Sequence, residues 1–119
     1  MTEHAEPTVF ERIAAREIPA QIVAETDRVI AFNDIAPKAP VHVVVTTKEQ
    51  GGYRDVVELA AGDPALLAEL VAVARDVADE LSYGDFRLVF NTGGNAGQTV
   101  FHVHAHVLAG GLEEGSLAG

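Results

Sequence analysis

His102, His104 and His106 stand two residues apart, interleaved with Val103, Ala105 and Val107. In an extended strand alternate residues share a face, so this spacing sets three imidazoles on one side and small apolar groups on the other. A solvated strand face ordinarily carries Lys, Glu or Thr. A face of imidazoles alone asks for a chemical reason. A neutral imidazole is a nucleophile near neutral pH, and flanking imidazoles can hold protons or hydrogen-bond to a charged group. His104 has a neighbour on each side, which makes it the candidate for the reacting atom. A zinc site is the competing use of such a row. At strand spacing His102 and His106 lie roughly 13 Å apart at Cα, too far to share one ion. Two adjacent members, His102 with His104, could do so with His42 or an acid completing the set, leaving the third imidazole unexplained.

The segment just before the row is Thr92-Gly93-Gly94-Asn95-Ala96-Gly97-Gln98. Its glycines let backbone N–H groups converge on an anion, and Gln98 and Thr99 add side-chain donors. No Lys-Ser or Lys-Thr follows, so it is not a P-loop. A glycine-rich loop by itself is only a connection; one that feeds directly into an imidazole row reads as an oxyanion or phosphate site.

These groups need a folded frame. The chain has 119 residues, 8 Lys+Arg against 18 Asp+Glu, a formal charge of −10, and 48% hydrophobic residues. That is one ordered domain with one core. The acidic balance argues against a nucleic-acid polymer as partner but leaves room for a small phosphorylated ligand. There is no cysteine, which excludes thiolate zinc sites, iron–sulfur clusters and disulfides. Met1 to Pro7 lacks the basic start and apolar run of a signal peptide, and the longest apolar-rich stretch, Pro64 to Leu81, is interrupted by charges. The expectation is a soluble, cytoplasmic chain without a membrane span. Arg87 is the last Lys or Arg, so a phosphate site built from the residues after it relies on backbone N–H groups, amides, hydroxyls and imidazoles.

Periodicity supplies the elements. Residues 7–17 read as a short helix ending at Ile18-Pro19, and 21–25 with 29–33 as a hairpin. A loop with Pro37 and Pro40 leads to Val41–Thr47, the clearest strand by composition. Tyr53 to Ala61 reads as a short helix. Asp63 caps a long amphipathic helix with Pro64 at its first position and Leu67, Leu70, Val71, Ala74, Val77, Ala78 and Leu81 on one stripe. Gly84 ends it. Strands over 86–91 and 99–109 complete an α+β domain: a five-stranded antiparallel sheet with one long helix on a face. The division expected is a flexible tail over 1–8, the domain over 9–110 and a C-terminal tail over 111–119.

The run His102-Val103-His104-Ala105-His106-Val107-Leu108 matches the pattern His-φ-His-φ-His-φ-φ, with φ apolar. Together with Gly97 to Phe101, Phe32 to His42 and Phe10 to Ile22, it resembles the histidine-triad (HIT) family, Hint-like branch, over about residues 9 to 110. The resemblance implies the HIT fold and a purine nucleoside phosphoramidase-like hydrolase. His104 would attack the α-phosphorus of a nucleoside 5′-phosphoramidate to give a nucleotidyl-histidine, which water hydrolyses. His102 would orient His104, while His106 and His42 would contact phosphate or carry protons. Asn91, Gly97, Gln98 and Thr99 would contact phosphate and leaving group, Asp34 the ribose, and Ile35 the nucleoside. No cofactor and no metal is implied, and a homodimer joining two sheets into one of ten strands is. The third histidine is kept, as the hydrolase branches keep it. There are two departures: no tryptophan-bearing C-terminal tail, and Glu49-Gln50-Gly51-Gly52 after the third strand.

Read without the resemblance, Asp34 is a turn cap before Pro37, His42 a buried histidine with its hydrogen bonds met, Lys48 a solvated strand end, and His4 incidental. Two other classes of function stand beside the hydrolase: a non-catalytic nucleotide-binding or signalling module of the same fold, and a histidine-based metal-binding protein.

Overall fold

The computed structural model describes residues 6–116. In chain order the elements are α1 (Val9–Ala14), β1 (Ile22–Glu25), β2 (Val29–Asn33), β3 (Val41–Thr47), α2 (Val56–Gly62), α3 (Pro64–Leu81), β4 (Arg87–Val89) and β5 (His104–Ala109). Single 3-10 turns lie at Gly94–Ala96 and Glu114–Ser116. The strands form one antiparallel sheet in the order β1-β2-β3-β5-β4. This is the five-stranded α+β architecture that the periodicity predicts.

The alternation of β2, β3 and β5 sends one set of side chains to α3 and the other to α1. Val29, Ala31, Val43, Val45, Val103, Ala105 and Val107 pack against Leu66, Leu70, Val73, Ala74 and Val77 of α3. Phe32 and Val44, on the opposite face, meet Phe10 and Ile13 of α1. Helix α3 starts where its sequence says: the Asp63 carboxylate accepts the Leu66 N–H at 3.1 Å, and Pro64 needs no partner for the N–H it lacks. It ends two residues short of expectation because Tyr83, at φ 58°, joins Gly84, at φ 84°, in the left-handed region.

Helix α1 is six residues long and depends on its cap. Thr8 accepts the Glu11 N–H while Glu11 accepts the Thr8 N–H at 2.8 Å, a reciprocal capping box. Arg16, at φ 65°, stops it before the predicted residue 17. Thr8, the last residue of the N-terminal tail in the sequence reading, is thus part of the folded frame. His4 lies outside the described residues.

The last strand differs most from expectation. Its ladder begins at His104, opposite Thr46, not at Thr99. The preceding backbone groups find other partners: Phe101 C=O accepts the Gln50 amide at 3.0 Å, Val103 N–H donates to Tyr53 C=O at 3.1 Å, and Val103 C=O accepts the Thr46 hydroxyl at 2.7 Å. These bonds replace strand rungs, so the chain reaches β5 as an irregular, well-anchored approach. At its far end Gly110, at φ 100°, passes within 3.0 Å of Pro40 measured from where a Cβ would stand. No helix among the described residues is long and apolar enough to cross a membrane.

Candidate active site

Strand β5 presents His104 and His106 on the α1 side of the sheet, and β3 presents His42 beside His106. The loop between β2 and β3 adds Asp34 and Lys38; the glycine-rich loop adds Gly97 and Thr99, and the end of β4 adds Asn91. These eight residues line one cavity of about 290 Å³. A second cavity of about 300 Å³ lies elsewhere, at Arg28, Lys48 and Tyr53. Its Arg28 and Lys48 are engaged by Asp63 and Glu25, each at 2.6 Å, and it contains no imidazole.

The backbone fixes where each imidazole proton sits. His104 Nδ1 lies 2.8 Å from the His102 carbonyl, which can only accept, so the proton is on Nδ1 and the Nε2 lone pair is free. Lys38 N–H donates to His42 Nδ1 at 2.9 Å, which puts the His42 proton on Nε2. That Nε2–H lies 2.9 Å from His106 Nδ1 and 3.4 Å from Asp34 Oδ2. His106 therefore accepts on Nδ1 and carries its own proton on Nε2. Neighbouring rings thus present complementary atoms: a bare nitrogen on His104 and an N–H on His106. Their ring centroids are 5.2 Å apart in an edge-on arrangement.

Burial keeps the cluster neutral. It depresses the His106 pKa to about 4, helped by the nearby His104 and His42. Burial also lowers His104, opposed by its bond to the His102 carbonyl and by Asp34. His42 is lowered by burial and further by Lys38, with Asp34 acting the other way. At pH 7 Asp34 Oδ2 therefore stands 3.4 Å from a neutral ring rather than from an imidazolium.

His102 shares the parity of the other two but not their exposure. It is fully buried, and burial lowers its pKa to about 4 against the pull of the Thr47 carbonyl and Glu11. Its Nε2–H donates to the Thr47 carbonyl at 2.7 Å, and its Nδ1 meets the Thr8 hydroxyl at 2.6 Å. Both nitrogens are engaged inside the protein, so His102 cannot pair with His104 at a metal. Among the described residues the cation-competent group is Asp34, His42 and His106, whose ligand atoms lie within 4.8 Å of one another. This corrects the choice of His102 and His104 for a metal site.

Two expected substrate contacts stand differently from the rest. Gln98 is buried, and its amide serves the loop: Nε2 donates to Arg54 C=O at 2.7 Å and Val100 C=O at 3.0 Å, and Oε1 accepts Gly93 N–H at 2.8 Å. It shapes the loop and does not line the cavity. Ile35 is 95% exposed, standing beside Asp34 outside the lining. Asp34 is the turn cap expected of it, since Oδ1 accepts the Ala36 N–H at 2.8 Å, and its Oδ2 faces His42 within the cavity lining.

The residues after Arg87 do not form the site alone. Lys38, from the loop before β3, is among the lining residues and its positive charge acts on His42, which overturns the expectation of a site without a cationic side chain. Its pairing with the cavity follows from the β3–β5 register, which no local pattern reveals. Thr8 and Phe10 were missed for the same reason; the Phe10 ring packs edge-on against His102 at 5.4 Å and His104 at 4.8 Å.

Sheet order, the long helix and an imidazole-lined cleft on the open face define the class: a small α+β domain whose chemistry lies on one sheet surface. A HIT domain model matches residues 15–111, and the chain belongs to the HIT family. It is 48% identical over 110 residues to an uncharacterized HIT-like protein of Synechocystis, covering 89% of this chain and 92% of that one. It is 35% identical over 105 residues to adenylylsulfatase HINT1 of Arabidopsis thaliana, covering 87% of this chain and 71% of the relative. A maize relative, 36% identical over 105 residues and covering 87% of this chain and 82% of its own length, is named a 14 kDa zinc-binding protein. Among solved structures, a HIT family hydrolase from Clostridium thermocellum superimposes with a TM-score of 0.82 at 41% identity, covering 90% of this chain and 93% of that one.

Proposed function

We propose that this protein is a nucleotide hydrolase that cleaves the P–N bond of nucleoside 5′-phosphoramidates through a nucleotidyl-histidine intermediate. The observation that carries the reading is the His104 Nδ1 contact to the His102 carbonyl at 2.8 Å, which leaves Nε2 as a free lone pair facing the cleft. In the first step Nε2 attacks the α-phosphorus and the P–N bond breaks. The departing amine takes a proton from water in the cleft, while the neutral His106, oriented through Nδ1 by His42, offers its Nε2–H as a hydrogen-bond donor to the phosphate. In the second step water attacks the phosphorus, releases its proton to the medium, and the P–Nε2 bond breaks to release the nucleoside monophosphate and restore neutral His104. Gly97, Thr99 and Asn91 surround the phosphate, Asp34 receives the ribose hydroxyls, and the exposed Ile35 lies under the base. Relatives named as hydrolases, among them the adenylylsulfatase, support the reaction class.

The active form in this reading is a cytoplasmic homodimer. Strand β4 ends the sheet, and pairing of two such edges joins two five-stranded sheets into one of ten. Incubation with an adenosine phosphoramidate, a mild-base quench and intact-mass measurement test the mechanism. The wild type should carry a labile nucleotidyl adduct and His104→Ala none, with turnover lowered by roughly a thousandfold or more. Unchanged turnover in His104→Ala would sink it.

A second reading, a divalent-cation site, is favoured by the convergence of Asp34, His42 and His106 and by the maize relative's name. A cation there would occupy ring nitrogens of His42 and His106 that the hydrolase reading uses to orient His106 and contact phosphate, so the two states exclude each other.

A further inference from the structure

The His102 carbonyl sets the His104 tautomer, yet no strand rung holds it, because the ladder starts two residues later. What anchors this residue is its own ring, gripped at both nitrogens. On one side the Thr47 carbonyl accepts Nε2–H at 2.7 Å. On the other stands Thr8, 94 residues away in sequence, with its Oγ1 at 2.6 Å from Nδ1. Thr8 has one hydroxyl proton, and its oxygen already accepts the Glu11 N–H at 3.1 Å, so that proton is available for the Nδ1 lone pair.

We propose that Thr8 is a positioning residue for His104, acting through His102. The proposal rests on the hydrolase reading for its kinetic consequence and on geometry alone for its structural one. Removing the hydroxyl leaves a lone pair without a donor in a fully buried ring. Moving the ring proton to Nδ1 would turn a bare Nε2 toward the Thr47 carbonyl, lone pair against lone pair, and the Thr47 hydroxyl, 3.0 Å from Nε2, already donates to the Glu49 carbonyl at 2.8 Å. Either way the ring must shift, and the carbonyl that orders His104 shifts with it. Helix α1 therefore contributes more than a cap to the site. Its N-cap hydroxyl joins the start of the domain to the reacting atom, and Glu11 braces the same junction by accepting the Gln50 N–H at 2.9 Å.

Three variants separate this role from simple helix capping. Thr8→Ser keeps both the cap and the donor. Thr8→Asp keeps the cap, since a carboxylate accepts the Glu11 N–H, but has no proton to give. Thr8→Val loses both. If Thr8 only caps α1, Ser and Asp give the same kcat and leave the His104 ring shifts in place. If it positions His104, Thr8→Ser retains kcat, while Thr8→Asp lowers kcat roughly ten- to hundredfold with KM nearly unchanged, as expected for a displaced reacting group. Thermal melting monitored by circular dichroism confirms that each variant folds. Ring 15N shifts of His102 and His104 give a readout that needs no turnover: both should move in Thr8→Asp and stay in place in Thr8→Ser. Unmoved His104 shifts in folded Thr8→Asp overturn the proposal. Moved shifts with no phosphoramidate hydrolysis by the wild type uphold the positioning and instead overturn the proposed reaction.

Discussion

Acidification should weaken this fold before its carboxylates titrate. His102 is free to protonate in the unfolded chain near its ordinary value of 6.5, but in the fold its pKa is about 4. Between those values the unfolded state binds more protons than the native one, so stability falls as pH falls. The contribution is fully present above about pH 6.5 and gone by about pH 4. Going from about pH 7.5 to about pH 5.5, His102 alone should cost about 1.4 kcal/mol, from the proton-binding polynomials of the two states. His42, His104 and His106 are shifted in the same direction, so the measured loss should exceed that figure. Glu11, Glu25, Glu58 and Asp63, whose pKa values the fold lowers, act below this window. Urea unfolding at fixed protein concentration reads the difference, by far-ultraviolet circular dichroism because the chain has no tryptophan. A parallel proton-NMR titration should show the His102 C2 proton unmoved down to about pH 5. Equal unfolding free energies at the two pH values would refute the conclusion that the fold holds its imidazoles neutral.

Three further outcomes follow from packing and chemistry. A Cβ on Gly62 would stand 2.5 Å from Tyr53 Cε1, so Gly62→Ala should destabilise by about 1–3 kcal/mol and lower Tm; an unchanged Tm would show that the ring swings aside freely. Gln98→Leu strips Gly93, Arg54 and Val100 of their amide partner and should cost about 1–3 kcal/mol in urea unfolding, with a larger loss of kcat than of stability alone. Zinc titrated calorimetrically should bind once per chain with little proton release at pH 7, because His42 is already neutral and only has to move its ring proton off Nε2. His42→Ala should abolish that binding, and retention of full affinity would place the ion elsewhere.

How much of this was legible depended on whether the signal was local. Strand β3 occupies Val41–Thr47 as predicted, since a β-branched run needs no distant information. Helix α3 keeps its Asp63-Pro64 start and buries Leu70, Ala74, Val77 and Ala78 of the predicted stripe, whereas Val71 and Leu81 are exposed and Leu66 and Val73 are buried instead. The shared face of His104 and His106 came directly from alternation. The beginning of β5 did not, because the partners that replace its rungs, Gln50, Tyr53 and Thr46, are about fifty residues away. The same holds for the chemistry itself. Residue types announced imidazoles, but which nitrogen bears the proton is decided by Lys38 N–H, the His102 carbonyl and the Thr8 hydroxyl. Gln98 shows the converse: an amide in a phosphate-binding type of loop reads as a ligand contact, while tertiary structure employs it as a brace.

The division of labour within β5 also bears on how such a domain can change. Residues 103, 105 and 107 belong to the core beneath α3, whereas 104 and 106 face the cleft. Replacing a cleft imidazole leaves the contacts of that strand with the α3-side core in place. Reaction chemistry can therefore drift at the even-numbered positions while selection for folding acts on the odd-numbered ones. Position 102 is the exception, an even-numbered residue sealed inside the protein, and it should tolerate the least variation of the three histidines.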